Sequence, residues 1–345
     1  VKSPIDFIKT PFLLFSSLFL VAGCFKEDKP MRLPLDSEAK VTRVFLGKSY
    51  ENQLFYNLET GVVAERDIND WELAIDLFSS EYKVLTNYGR DIFVARTSLF
   101  TLNELATLKP ASLTWNYDFP NGKIDSNAIG DWKQRYGADT SAYFLLDLGR
   151  FQPIEQRYFF FRFINKTETE ITIQFGNQQQ IAAVSSLTIQ RDANRNYAYV
   201  SIRNKQVLND FEPLAKDWDL IFTRYRHIFY IDPNPTDPFP YLVTGALLNP
   251  RFTAVAMDTI QGFANIDLPM ASSLSYDNTP DIIGYAWKNF DFTVSFTYSV
   301  NPNTTYIIRS TKSGTSKYYK IRFLDFYNEN KEKGYPKFEV KPILF

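Results

Sequence analysis

One cysteine, one histidine and three methionines in 345 residues leave few groups for thiol, imidazole or thioether chemistry. Cys24 has no second cysteine to pair with, so no intrachain disulfide forms and the folded part is stabilised by packing. With His227 as the single histidine, a bis-histidine centre within one chain is excluded, and so is a zinc site of paired histidines and thiolates. No Gly-x-Ser-x-Gly elbow and no glycine-rich phosphate loop of the required spacing occurs. Neither sign of charge is in excess. Lys and Arg total 38, Asp and Glu 39, and the formal net charge of −1 offers no basic field to gather nucleic acid. Apolar runs are short as well: the longest, from Pro11 to Gly23, falls below the ~20 residues of a bilayer-crossing helix.

That run does fit the apolar region of a cleavable export signal. Lys2 and Lys9 precede it, and it ends in Leu20-Val21-Ala22-Gly23-Cys24. These five residues resemble a bacterial lipobox, with Val21 where leucine is commoner. The expectation is a lipoprotein signal peptide over 1–23, acylation of Cys24, and a lipidated tether over 24–40 that carries Pro30 and Pro34. The charged Lys26-Glu27-Asp28 reads either as an export signal or as a solvated tether.

Aromatic residues make up 17% of the chain, with 31 Phe and 21 Tyr, and favour strands. Two-residue alternation predicts strands at 40–45, 71–78, 158–164, 169–175, 197–203 and 218–230. The strongest alternation, Phe290-Phe292-Val294-Phe296-Tyr298-Val300, predicts one long half-buried strand, followed by Thr305–Arg309 and Lys317–Tyr327 in an antiparallel meander. Short helices are expected at 101–108 and 129–136. The predicted class is all-β, antiparallel and sheet-rich, with an N-terminal β region at 41–150 and a C-terminal one at 151–345, or a single domain over 41–345.

Asp70-Trp71-Glu72-Leu73 and Asp217-Trp218-Asp219-Leu220 echo one another, each placing an indole and a carboxylate at the entrance of an apolar strand. With Leu85-Thr86-Asn87-Tyr88-Gly89, Tyr319-Lys320-Ile321-Arg322-Phe323, Phe326-Tyr327-Asn328 and Lys333-Gly334-Tyr335-Pro336, these residues resemble the HmuY-like family of Bacteroidota surface lipoproteins. The resemblance implies an all-β, non-enzymatic outer-membrane lipoprotein. In the best-known members it also implies a haem-capturing pocket that serves a TonB-dependent transporter. In that family's lipoproteins, charge just after the acylated cysteine, here Lys26-Glu27-Asp28, directs export to the cell surface.

Haem needs donors on the two faces of its iron. Here the single-chain pairing is His227 with Met257 or Met270, because Met31 lies in the tether. Arg224, Tyr225 and Arg226 are placed to receive carboxylates. The alternative is that His227, sharing strand parity with Ile221, Tyr225 and Phe229, packs on a sheet or points at solvent, and that the methionines fill the core. The oxygen-rich Asp232, Asn234, Thr236 and Asp237 lack the glycine of an EF-hand loop. Three readings follow: a ligand-binding surface lipoprotein with haem as the implied candidate, an accessory subunit of an outer-membrane complex, and a glycan-binding lipoprotein that stacks sugars on exposed Trp or Tyr.

Overall fold

The computed structural model describes residues 38–79, 82–136, 140–230, 238–301 and 303–344. Cys24, Lys26, Glu27, Asp28 and Met31 lie outside the described residues, as do Asp232, Asn234, Thr236 and Asp237. Among the described residues no helix is long and apolar enough to cross a membrane.

The strands form five antiparallel sheets among the described residues. The first runs β10 (Ser185–Gln190), β9 (Glu170–Asn177), β8 (Tyr158–Lys166), β7 (Phe144–Asp147), β6 (Phe93–Arg96). The second runs β12 (Gln206–Leu208), β11 (Tyr197–Ser201), β4 (Leu73–Asp76), β5 (Val84–Thr86). In the third the order is β14 (Pro238–Leu248), β13 (Leu220–Tyr230), β2 (Asn52–Asn57), β3 (Gly61–Asp67). The fourth is β1 (Lys40–Arg43), β20 (Lys333–Ile343), β19 (Lys317–Tyr327), β18 (Thr305–Ser310), β15 (Thr253–Asp258). A short hairpin of β16 (Lys288–Phe290) and β17 (Tyr298–Val300) completes the set.

Side-chain parity shows how the sheets stack. Leu73 and Ile75 of β4 pack with Phe144, Phe161 and Ile173 of the first sheet, whereas Ala74 between them joins Phe55, Ile221 and Tyr225 of the third. On β13, Leu220 and Phe222 pack with Ile308, Ile321 and Phe338 of the fourth sheet, whereas Ile221 and Tyr225 face Tyr199 of the second. The second and third sheets are therefore covered on both faces, which is why β4 is buried at every position. Outer faces are covered too. Helix α1 (Leu102–Ala106) lies over the first sheet beside Tyr143 and Phe160, after α1 come α2 (Trp132–Tyr136) and α3 (Ile154–Arg157), and α4 (Leu268–Ser273) lies over Ala256 and Ile307.

The all-β class and the C-terminal meander stand as expected, with Lys317–Tyr327 paired along β20 and β18. The helix expected at 101–108 forms as α1, where Thr101 and Glu104 close a reciprocal capping box. The position between 150 and 151 lies inside the first sheet, between the paired strands β7 and β8. One expectation is corrected. The single strand over Phe290–Val300 is instead a hairpin. The carboxylate of Asp291 accepts the amides of Thr293, Val294 and Ser295 at 2.8, 3.1 and 2.8 Å, turning the chain after Phe290. Phe296 sits at φ +50°, a conformation no strand residue adopts.

Both echoed motifs end in the same core. Trp71 packs edge-on to Tyr199 at 4.9 Å between ring centroids and to Phe211 at 6.3 Å, and Trp218 packs edge-on to Phe55 at 5.2 Å. Glu72 and Asp219 stand at their strand entrances, fully buried. Glu72 holds Arg90 at 2.8 Å and Arg203 at 2.7 Å, and Asp219 holds Lys312 at 2.5 Å.

Candidate functional site: an aromatic surface around His227

β13 and β14 pair without a register break from Leu220↔Leu248 to Tyr230↔Pro238, so His227 lies opposite Tyr241 and Phe229 opposite Phe239 on one face. The imidazole meets Tyr285 at 4.7 Å and Phe229 at 4.8 Å between ring centroids, both steeply inclined. Tyr241 lies 6.4 Å from Phe229 and 6.1 Å from Phe239, and these two outer rings are about half exposed. Nδ1 of His227 is buried without a hydrogen-bond partner, 3.7 Å from Oδ2 of Asp281. The side chain keeps 25% of its surface, so that exposure belongs to the rest of the ring. Asp281 thus stands beside the buried nitrogen without hydrogen-bonding it, and shortening that distance would give the carboxylate–imidazole pairing that orients a metal-ligating histidine.

Tyr285 and Asp281 come from a segment that lies directly against β14. Gly284 exchanges backbone hydrogen bonds with Ala246, and the Tyr285 amide donates to the Tyr225 hydroxyl at 3.1 Å. Only glycine permits this approach: a Cβ on Gly245 would stand 2.2 Å from the Gly284 carbonyl oxygen, and Gly284 itself sits at φ +49°.

The hairpin loop carries exposed apolar side chains of its own. Its turn exposes Phe292 at 76%, Val294 at 84% and Phe296 at 65%. Phe290 touches both Phe292 and Tyr298, at 4.7 and 4.8 Å, and the neighbouring Tyr241 is one of the groups that raise the Tyr298 hydroxyl's pKa, after burial. Exposed aromatic side chains gathered in this way mark a surface that something covers.

Under this surface Lys288 is buried. Its ammonium lies 4.4 Å from the Trp287 ring and 4.9 Å from the Phe326 ring, and donates to the Thr244 carbonyl. Desolvation pushes its pKa down from 10.5 to about 7. Between those values the unfolded chain holds a proton that the folded chain lacks, so stability rises with pH across that window and is flat below it. The expected slope is about 1.4 kcal/mol per pH unit above pH ~7. Unfolding midpoints of the wild type and Lys288→Met at pH ~7 and ~9.5 check it: the wild type gains on the variant as pH rises, and parallel pH profiles would refute the assignment.

The other residues singled out in the sequence lie elsewhere. Met257 is on β15 and 53% exposed, and Met270 packs with Ala271 and Ile266 on the outer face of the fourth sheet. Arg224 and Arg226 alternate with Tyr225 and His227, so their side chains leave the opposite face of β13. Asp281 and Tyr285, which complete the histidine's surroundings, carried no signal in the sequence, because glycine-dependent contact rather than spacing brings them there. Among the described residues no group of three or more His, Cys, Asp or Glu is placed to hold a metal ion.

Comparisons with known proteins bear chiefly on the C-terminal part of the chain. The family model described as HmuY protein matches residues 253–340, from the first residue of β15 into β20, and the HmuY-like resemblance holds for that segment. The match includes Asp281, Tyr285 and the exposed 291–297 turn, and stops short of His227. Two solved structures align over most of the chain. One is apo PinO from Porphyromonas gingivitis, at 9% identity, 90% coverage of this chain and 99% of that one, and a TM-score of 0.30. The other, from Bacteroides vulgatus ATCC 8482, is described as an HmuY-like heme binding protein, at 9% identity, 91% and 97% coverage, and a TM-score of 0.25. No curated protein matches the chain.

Proposed function

We propose that this chain is a non-enzymatic ligand-binding lipoprotein of the outer membrane, anchored through acylated Cys24 and exposed at the cell surface, and that haem is its ligand. The observation that carries the reading is the position of the single histidine: partly exposed, backed by Asp281, and set among Phe229, Tyr241 and Tyr285. A porphyrin needs flat apolar walls and an axial donor, and imidazole nitrogen is the commonest such donor. Met257 and Met270 belong to the fourth sheet and its covering helix while His227 stands on the third, and the reading rests on His227 as the protein donor. Haemin titrated into the soluble part is expected to give a saturable Soret band that collapses in His227→Ala. A band that survives the substitution removes His227 from the site, and the absence of any sharp band in the wild type removes haem.

A second reading rests on Phe292, Val294 and Phe296, whose exposure is greater than a ligand pocket requires. In it, the turn docks on a larger outer-membrane partner of the TonB-dependent transporter type. Detergent extraction of the tagged protein is expected to bring a partner along, and to lose it when Phe292 and Phe296 are both replaced by Ser. Migration of the wild type alone would eliminate this reading.

A further inference from the structure

An open cleft of about 810 Å³ shares Phe239 and Tyr241 with the surface around His227 but does not include His227 in its lining. Arg90, Arg150, Arg203, Arg224 and Arg226 line it, and Asp91 is the one carboxylate among its lining residues. The pairing leaves cationic groups over. Arg90 and Arg203 share the single carboxylate of Glu72, buried beneath them, at 2.8 and 2.7 Å. Arg224 spends its donors on carbonyls, Nε to Gly89 at 2.6 Å and Nη1 to Ser49 at 3.0 Å, with Glu51 and Asp67 acting on it only from a distance. Arg150 is exposed and lies over the Phe151 ring at 4.9 Å.

Arg226 is the telling member. Its side chain is 2% exposed, and Nη2 donates to the carbonyls of Arg90 and Ile92 at 3.1 and 3.2 Å, with Asp91 at 3.6 Å. Nη1 is buried with no partner. Phe93 and Tyr117 flank the guanidinium at 5.0 and 5.4 Å, and Asp118 acts on it through space. A buried guanidinium nitrogen without an acceptor is costly, the two flanking rings offset part of that cost, and Arg226 keeps a donor that an anion bound beside it could use.

We propose that this cleft binds a small, multiply charged oxyanion, a di- or tricarboxylate or an organic phosphate, with Arg226 as its deepest contact and Arg150 at the mouth. Guanidinium forks match carboxylate and phosphate oxygens two at a time, which a lysine ammonium does not. The cleft's volume falls within the range of small-molecule sites, and open walls on one side suit a soluble ligand rather than a chain.

Calorimetric titration of the soluble protein at fixed ionic strength tests this with citrate and with inorganic pyrophosphate, acetate serving as the monoanion control. At least one of the two polyanions is expected to bind saturably with acetate inert, and whichever binds tells carboxylate from phosphate. Arg150→Gln, on the surface and outside every hydrogen-bonded cluster described here, is expected to weaken binding about tenfold. Arg226→Lys keeps the charge and removes the fork, and is expected to weaken it further while the Soret titration at His227 is unchanged. If neither polyanion binds at millimolar concentration, or if Arg150→Gln binds as the wild type does, the assignment fails. Because Arg150 lies in no packed core, that second outcome holds even where Arg226→Lys does not fold.

Discussion

Asp219→Ala is expected to destabilise the protein by about 3–5 kcal/mol, the cost of breaking a buried ion pair by removing one partner. Asp219 is fully buried, and its two oxygens gather three donors from two separate pieces of chain: the Leu58 amide at 2.9 Å after β2, and, at the end of β18 and just beyond it, the Ser310 hydroxyl at 2.8 Å and the Lys312 ammonium at 2.5 Å. Removing it strands an ammonium that is only 12% exposed and two further donors. The third and fourth sheets meet here, so the loss falls on their junction rather than on a surface loop. Denaturant unfolding of Asp219→Ala, beside Asp219→Ala with Lys312→Met, measures it. The double variant should recover part of the loss, since the uncompensated charge is gone. A single variant within about 1 kcal/mol of the wild type would show that the carboxylate does not hold these segments together.

Trp71→Ala carries an expected cost of about the same size, roughly 3–5 kcal/mol, from lost apolar burial plus the cavity left behind. Its indole is wholly buried against Tyr88, Tyr199 and Phe211. What distinguishes this site is its relation to Trp218. Phe55 touches Trp218 and also Phe211 at 6.4 Å, so the two indoles share one aromatic network between the second and third sheets. Combining Trp71→Ala with Trp218→Ala should therefore reveal a coupling of about 0.5–3 kcal/mol, because each truncation loosens packing around the other. Strict additivity would mean that the two halves of the chain keep separate cores, contrary to the layering seen here.

Much of this architecture is written in local sequence. Lys317–Tyr327 alternates along its length and is bounded by a Gly-containing turn, and it forms as expected. Thr101 and Glu104 specify the start of α1 through side chains that bond back to their own backbone. The parity of His227 with Tyr225 and Phe229 correctly places it on an aromatic face. Where alternation misled, one side chain was responsible: Asp291 offers the backbone more favourable acceptors than a ladder does, and hydroxyl and amide donors from Thr293 and Ser295 hold its carboxyl well below the usual carboxylate range. The stacking order of the sheets was not legible either. Strands buried on both faces, such as β4, carry no polar face to orient them. The arginines of the cleft come from the β5–β6 connection, the segment after β7, the segment after β11, and β13, and no spacing rule unites them.

The proposed haem site stands on His227 as the iron's donor on an exposed aromatic surface. Electron paramagnetic resonance of the ferric complex is the decisive measurement, comparing wild type with His227→Ala and with Asp281→Asn. Ligation by His227 predicts an imidazole-nitrogen signature in the wild type, its loss on removing His227, and its retention with altered rhombicity when the carboxylate beside Nδ1 is neutralised. Identical spectra from wild type and His227→Ala would contradict it.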